Sequence, residues 1–423
     1  MIQKFESGSA EVAKQAEIQY KLASLWLAKG RFEQAITGFR QVLQLQPSHT
    51  QAMVHLDHAL RHQKEASQPL VAQFADTDET QVSFGDSNQT LVSQTVGKIA
   101  VNHQKVFAAH RCGWQYAIFA LQSLHNPEGV LFDGFLENSF IWKYYQPGQV
   151  RVPYNQPWVG FLHNPPDMPA WFQYRDSPQA LFAQASWQQS LEQCVGLFCL
   201  SEYYAQWLRK HTELPVSALI YPTEIPEKLF DFDKFSENAQ KKIVQLGWWL
   251  RKLNAIYQLP ILKENPLGYE KVKLNPEFAP NAKEYLQELC ERERKAEKIV
   301  FQTHFLANTQ ELSHLSNQDY DELLSQNIGF IALYDASANN AVVECIARAT
   351  PLLINPLPAV VEYLGEDYPM YFHTLEEAAD KAMDLGLIKA THEYLLRCET
   401  RQKLSAQHFL QTFINSDVYR KIA

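Results

Sequence analysis

Long runs of like charge are missing from this chain of 423 residues, and the balance is acidic: 38 Lys and Arg against 47 Asp and Glu leave a net charge of −9. That excludes a broad nucleic-acid or anionic-membrane surface but not a local basic cleft. Cysteine is sparse. Its six copies, at 112, 194, 199, 290, 345 and 398, form no CxxC pair, so neither a disulfide framework nor a thiolate metal site is expected, and free thiols in a reducing cytoplasm are. No apolar stretch approaches the roughly 18 to 20 residues of a bilayer span, and the first residues carry no apolar core of signal-peptide type. A cytoplasmic protein without a membrane span follows. GxSxG, HExxH and Walker-type loops are absent, which removes hydrolase, metalloprotease and P-loop readings. DxD occurs at Asp76 to Asp78, in a polar linker, and at Asp231 to Asp233, where the alternating aromatics of FDFDKF point to packing.

The composition that remains, 46% hydrophobic and 12% aromatic, is enough for two or three packed domains. Near the start, Ala23, Trp26, Gly30, Phe32, Ala35, Phe39, Val42 and Pro47 match the tetratricopeptide pattern of about 34 residues, and a second repeat beginning at Thr50 dissolves before its second helix. One and a half repeats make no long groove. The hairpin, placed at 1–67, reads either as a cap on the next domain or as a docking module that recruits a protein partner or a second copy.

A polar linker at 68–96 separates it from strands alternating with helices. Apolar strand candidates are Lys105–Ala109, Val130–Phe135, Trp158–His163, Leu197–Ser201 and Ala218–Tyr221, then Ile243–Leu246, Ile299–Thr303, Ile328–Leu333, Leu352–Ile354 and Met370–Phe372. Two α/β halves are expected, at 97–236 and 237–400, each a doubly wound parallel sheet, with a last helix at 401–423.

The stretch from Ile328 to Leu364 carries most of the functional information. An apolar strand runs into a small polar loop, Asp335 to Asn340, then an Ala-rich helix with Glu344, then a second apolar strand. In such a βαβ unit ligands bind beyond the carboxyl ends of the strands, and a helix opening at Asn339 and Asn340 offers free amides to a phosphate. The alternative reading is an ordinary buried βαβ unit. The block resembles the GT-B glycosyltransferases, above all the large retaining family with a paired-glutamate signature. Glu344 is similar to the second of those glutamates, and Ala349–Asn355 to the segment that closes the motif. Eight residues before Glu344 stands Ala336, with Asp335 beside it as the one available substitute for the first glutamate.

The resemblance implies two Rossmann-like domains around a cleft, with the tetratricopeptide hairpin ahead of them and the terminal helix crossing back to the first. It implies transfer of a sugar from a nucleotide-diphosphate sugar to an acceptor (glycan, protein or small molecule), without a metal or a resident cofactor. Arg251 and Lys252 would offset the diphosphate charge, while Asp335, Asn339, Asn340 and Glu344 hold the rest of the donor. His163, at a strand end fixed by the proline-rich turn of HNPPDMP, would contact the transferred sugar or act as base. Trp171, with Trp158, Phe172 and Tyr174, would form a stacking platform; Arg111 and Gly113 of the first loop, and Thr223 at the crossing, would line the cleft. Ser201 reads as a helix cap. The competing expectation is a non-catalytic protein of the same fold acting through the repeat module.

Overall fold

The computed structural model of the chain divides into two units, Met1–Val92 and Ser93–Ala423. It describes residues 16, 19–24, 26, 27, 31–45, 52, 55, 56 and 59 of the first, and 97–102, 114–143, 145, 148–275, 282–301, 308–313 and 315–422 of the second.

In the first unit, α1 (Phe32–Leu45) repeats apolar residues at helical spacing and buries Ala35, Ile36, Phe39 and Val42. They share a core with Ala16, Ala23, Ala52 and Ala59. A Cβ on Gly38 would lie 2.7 Å from that of Ala23 and 3.2 Å from the Trp26 ring, so only glycine lets the two helical segments approach this closely. Tyr20 stacks on His55, with ring centres 5.6 Å apart. Gly30, Pro47 and Thr50 of the expected repeat, and the linker 68–96, lie outside the described residues.

The second unit holds two five-stranded parallel sheets. The first contains β1 (Ile99–Val101), β2 (Val130–Asp133), β3 (Trp158–Phe161), β4 (Cys194–Cys199) and β5 (Val216–Ala218), with α2 (Trp114–Leu121) after β1 and α3 (Glu202–Arg209) after β4. The second is built from β6 (Lys242–Gln245), α4 (Ala255–Gln258), β7 (Glu270–Leu274), α5 (Ala282–Ala296), β8 (Thr309–Leu312), α6 (Asn317–Ser325), β9 (Ile328–Ile331), α7 (Asn340–Arg348), β10 (Leu352–Ile354) and α8 (Pro358–Leu364). Among the described residues the first sheet runs in chain order, β1-β2-β3-β4-β5. The second runs β10-β9-β6-β7-β8 and reverses direction between β6 and β9.

Both faces of the first sheet are apolar. Leu131, Trp158 and Leu197 meet Tyr204 and Leu208 of α3 on one face, while Phe132, Phe161 and Phe198 line the other. That second face is covered by Trp114 of α2 and by Phe409 and Phe413 of α9 (Ala406–Asn415), with Phe413 4.8 Å from Phe198. The chain closes with α10 (Asp417–Lys421), whose Val418 packs where Gly196 leaves room; Lys98 then donates to the Ile422 carbonyl. The last helices therefore lie on the first sheet, although they follow the second.

Two strand expectations need correction. Residues 299–301 are not a strand, and Val300 is 83% exposed; the chain supplies β7 and β8 instead. EKVKL carries Lys271 and Lys273 where a buried parallel strand is ordinarily apolar, and TQEL is a half-exposed edge strand. Met370–Phe372 reduces to one bridge, Ile354 to Tyr371. Lys105–Ala109 lies outside the described residues. Among the described residues no helix is long and apolar enough to cross a membrane.

Candidate functional site

The reversal between β6 and β9 makes a topological switch point, the place where a crevice opens at the carboxyl ends of a parallel sheet. Two loops leave it, 246–254 after β6 and 332–339 after β9. They are sewn together: Lys252 N–H donates to the Ala332 carbonyl (2.7 Å) and Tyr334 N–H to that of Leu250 (3.0 Å). Asn355, just past β10, clamps Leu333 by accepting its N–H and donating to its carbonyl.

Arg251 is the centre of this seam. It is 8% exposed and donates to the Leu246 and Trp249 carbonyls, at 3.2 and 2.5 Å, and to Asn339 Oδ1 at 2.9 Å. Burial lowers its pKa to about 10, and Glu344 and Tyr320 oppose that shift, so the guanidinium stays charged at neutrality. Gly247 turns the chain at φ +73°, and a Cβ there would stand 2.9 Å from the guanidinium. Three of the five Arg251 N–H donors are thus engaged within the seam, on Leu246, Trp249 and Asn339. Lys252 is exposed, with its ammonium 5.5 Å from the centre of the Tyr334 ring.

Asn339 caps α7: its Oδ1 accepts from Ala341 and Val342 N–H as well as from Arg251. Asn340 is exposed at the first turn. Glu344, one turn further, is 4% exposed, and its Oε2 accepts the Tyr320 hydroxyl at 2.5 Å. It points into the packing between α6 and α7, beside the buried pair of Arg348 and Asp321 (2.7 Å). In the preceding loop Ser337, unnoticed in the sequence, is 1% exposed and its hydroxyl has no hydrogen-bond partner.

Asp335 reaches across to the first half. Its Oδ2 accepts Asp167 N–H at 2.8 Å, its Oδ1 accepts Ala336 N–H, and the Tyr203 hydroxyl lies 3.5 Å away. Burial raises its pKa to about 6. Glu362 of α8 makes a second tie, accepting the Glu202 and Tyr203 amides at the start of α3, a helix that Ser201 caps at Tyr204 N–H.

On the first half, His163 sits among rings, 4.6 Å from Trp114 and 4.1 Å from Phe135 between centres. Its Nε2 donates to the Gly134 carbonyl at 2.9 Å, leaving Nδ1 as the acceptor. Desolvation lowers its pKa to about 3, so the general-base role expected of it is not supported; a neutral imidazole offers hydrogen bonding only. Behind it lies a carboxylate missed in the sequence. Glu137 Oε1 accepts the N–H groups of both His163 and Asn164 at 2.7 Å, and burial raises its pKa to about 7.

The aromatic platform is also corrected. Trp158 and Phe172 are fully buried, and Trp171 is a wedge: its indole donates to Glu297, its carbonyl accepts from Arg292, and its ring meets Tyr334 edge-on. Aromatic residues were free to serve either role, and contact with the second half decides for packing. Thr223 is 2% exposed, its N–H bound to the Leu404 carbonyl, and takes no part in a cleft. Arg111 and Gly113 lie outside the described residues.

No protein-family model matches the sequence, and no curated protein does. Several solved structures are similar at low identity. A UDP-forming alpha,alpha-trehalose-phosphate synthase from Burkholderia vietnamiensis has 16% identity and a TM-score of 0.45 over 72% of this chain and 78% of that one. An alpha,alpha-trehalose 6-phosphate synthase from Burkholderia multivorans has 15% identity and a TM-score of 0.43 over 72% and 74%. HepE from Anabaena, in complex with UDP and glucose, has 11% identity and a TM-score of 0.45 over 61% and 71%.

Proposed function

We propose that the second unit is a glycosyltransferase of the GT-B type, which transfers a sugar from a nucleotide-diphosphate sugar to an acceptor held by the first sheet. One observation carries this reading: Arg251 and Asn339, from the two loops that flank the switch point, share a hydrogen bond at the start of α7. The guanidinium places fixed positive charge at the helix end where a diphosphate would gather negative charge as it departs. Lys252, exposed beside it, adds a second cation. The side chain of Asn340, exposed at the first turn of α7, supplies a donor to the phosphates with the Ser337 hydroxyl; Glu344 accepts from the ribose; Asp335 and neutral His163 hydrogen-bond the transferred sugar. No metal has a task in this scheme, and turnover in EDTA tests that clause. The tetratricopeptide-like helices of the first unit would recruit a second copy or the acceptor.

A second reading is favoured by one feature: the carboxylates of Asp335 and Glu344 are both already engaged, by Asp167 N–H and by the Tyr320 hydroxyl. In a binding protein of this fold they would stay so. Thermal unfolding of the full chain with nucleoside diphosphates and their sugars separates the cases. A donor at 100 times its Kd stabilises by about 2.7 kcal/mol, and release of free diphosphate then marks the enzyme. Absence of any nucleotide response removes the transferase and leaves the non-catalytic protein acting through the repeat module.

A further inference from the structure

The face of the second sheet that lies under α4 and α5 departs from the apolar lining of ordinary parallel strands. Register pairs Gln245 with Lys273 and Lys273 with Glu311, so these three side chains rise in one row from the same face. The next row down holds Lys271 and Thr309. Gln245 is 1% exposed, and neither its side-chain oxygen nor its nitrogen has a hydrogen-bond partner. Lys273 is 5% exposed. Its ammonium lies 3.1 Å from Cys290 Sγ and 4.8 Å from the centre of the Tyr257 ring, and it forms no ion pair with a described carboxylate.

Beside this row is a cavity of about 230 Å³ between α5 and the ends of β7 and β8. Lys273 forms its back, Leu286, Tyr257 and Phe301 its apolar wall, and Lys283 and Arg294 its mouth. Two carboxylates also reach the wall, and both are engaged. Glu291 pairs with Arg294 and Lys295, while Glu311 accepts the Tyr257 hydroxyl and the Asn275 amide. Glu293, behind them, accepts from Asn254 and Tyr334. The acids therefore have donors of their own, whereas among the described residues the Lys273 ammonium, with three donors and the Glu293 carboxylate within electrostatic reach, has a thiol as its hydrogen-bond acceptor.

We propose that this cavity is a second ligand site, built for a small anion with a phosphate or carboxylate group on a compact apolar body. The anionic group lies against Lys273, Lys283 closes over it from the mouth, and Leu286 and Phe301 take the body. The volume is below the range of about 300 to 1,000 Å³ usual for drug-sized ligands, which fits a small metabolite. Arg251, Ser337, Asn339 and Glu344 do not line it, so its occupant is not the sugar donor.

The test titrates the full chain with inorganic phosphate, and in a parallel series with malonate, at constant ionic strength balanced by chloride. Calorimetry and the unfolding midpoint are read. At least one anion binds saturably, with a Kd near or below about 1 mM, and both Lys273→Gln and Lys283→Gln weaken it by about tenfold. Lys283 is exposed, so its variant keeps the fold and carries the test if that of Lys273 does not. A response that the Lys283 variant shares undiminished places the anion elsewhere and overturns the proposal, as does a gradual rise without saturation or no response to either anion.

Discussion

Arg251 and Asn339 meet at 2.9 Å through a single oxygen, Asn339 Oδ1, which also accepts the first free amides of α7. One atom thus caps a helix and holds a buried cation, and the two duties can be pulled apart. Asn339→Ala removes both and leaves a guanidinium donor without its acceptor, for a loss of about 2 to 4 kcal/mol in urea unfolding. Asn339→Asp keeps the cap and stays within about 1 kcal/mol of the parent. Its carboxylate neutralises Arg251, so nucleoside diphosphate affinity measured by calorimetry falls by about tenfold or more while stability holds.

Gly247→Ala tests the same seam from the backbone side. The positive φ alone costs about 1 kcal/mol, and the added Cβ at 2.9 Å from the guanidinium forces Arg251 to shift. Denaturant unfolding is expected to show a loss of about 1 to 3 kcal/mol. Nucleotide binding falls with it, although residue 247 itself contributes no polar side chain.

Glu344 and Tyr320 separate ribose binding from packing. Glu344→Gln weakens nucleotide binding by about 1 to 3 kcal/mol if the carboxylate leaves Tyr320 for the ribose. Tyr320→Phe removes only the internal partner, costs about 1 kcal/mol of stability and leaves nucleotide affinity intact or tighter. Equal affinity in the parent and in Glu344→Gln assigns Glu344 to packing alone.

The pH dependence follows from Glu137 and His163, whose shifts oppose each other. Glu137 titrates near 7 in the folded chain against 4.5 ordinarily, so between these values the folded state holds more protons and stability falls as pH rises. Glu137→Gln removes that penalty: its stability relative to the parent climbs by about 1.4 kcal/mol per pH unit from 4.5 to 7 and then levels. His163 titrates near 3 against 6.5, so the unfolded chain holds the extra proton and stability is lost as pH falls below 6.5. His163→Gln therefore gains on the parent toward acid. Unfolding free energies measured from pH 4 to 8 show both slopes.

The second half of the α/β unit was legible in the sequence where local chemistry decides the outcome. Ile328–Ile331 and Leu352–Ile354 are apolar runs bounded by polar loops, and Asn339 before an Ala-rich segment is a cap signal that any helix start would use. β7 was hidden because EKVKL places Lys271 and Lys273 at buried positions, against the usual pattern, and β8 because TQEL is a short, half-exposed edge strand. His163 was visible as a strand-end histidine, but its charge state is set by Trp114 and Phe135, brought in by other segments. Trp171 and Thr223 misled for the same reason: what an aromatic ring or a hydroxyl does depends on the surface that arrives opposite, here α5 with Tyr334 and the carbonyl of Leu404.

The carboxylate of Glu362 on the first amides of α3 has a mechanical consequence. Next to it, Tyr363 donates to the Leu200 carbonyl and accepts Tyr221 N–H, so α8 grips the end of the first sheet with four polar attachments in two consecutive residues. Asp335 holds the opposite loop through the Asp167 amide and, more loosely, the Tyr203 hydroxyl, on a carboxyl that protonates near pH 6. Acidification through pH 6 therefore weakens the acceptor at this tie, while the two Tyr363 bonds, which involve no carboxylate, keep their strength. The grip of α8 on the first sheet thus outlasts the hold of Asp335 on the facing loop.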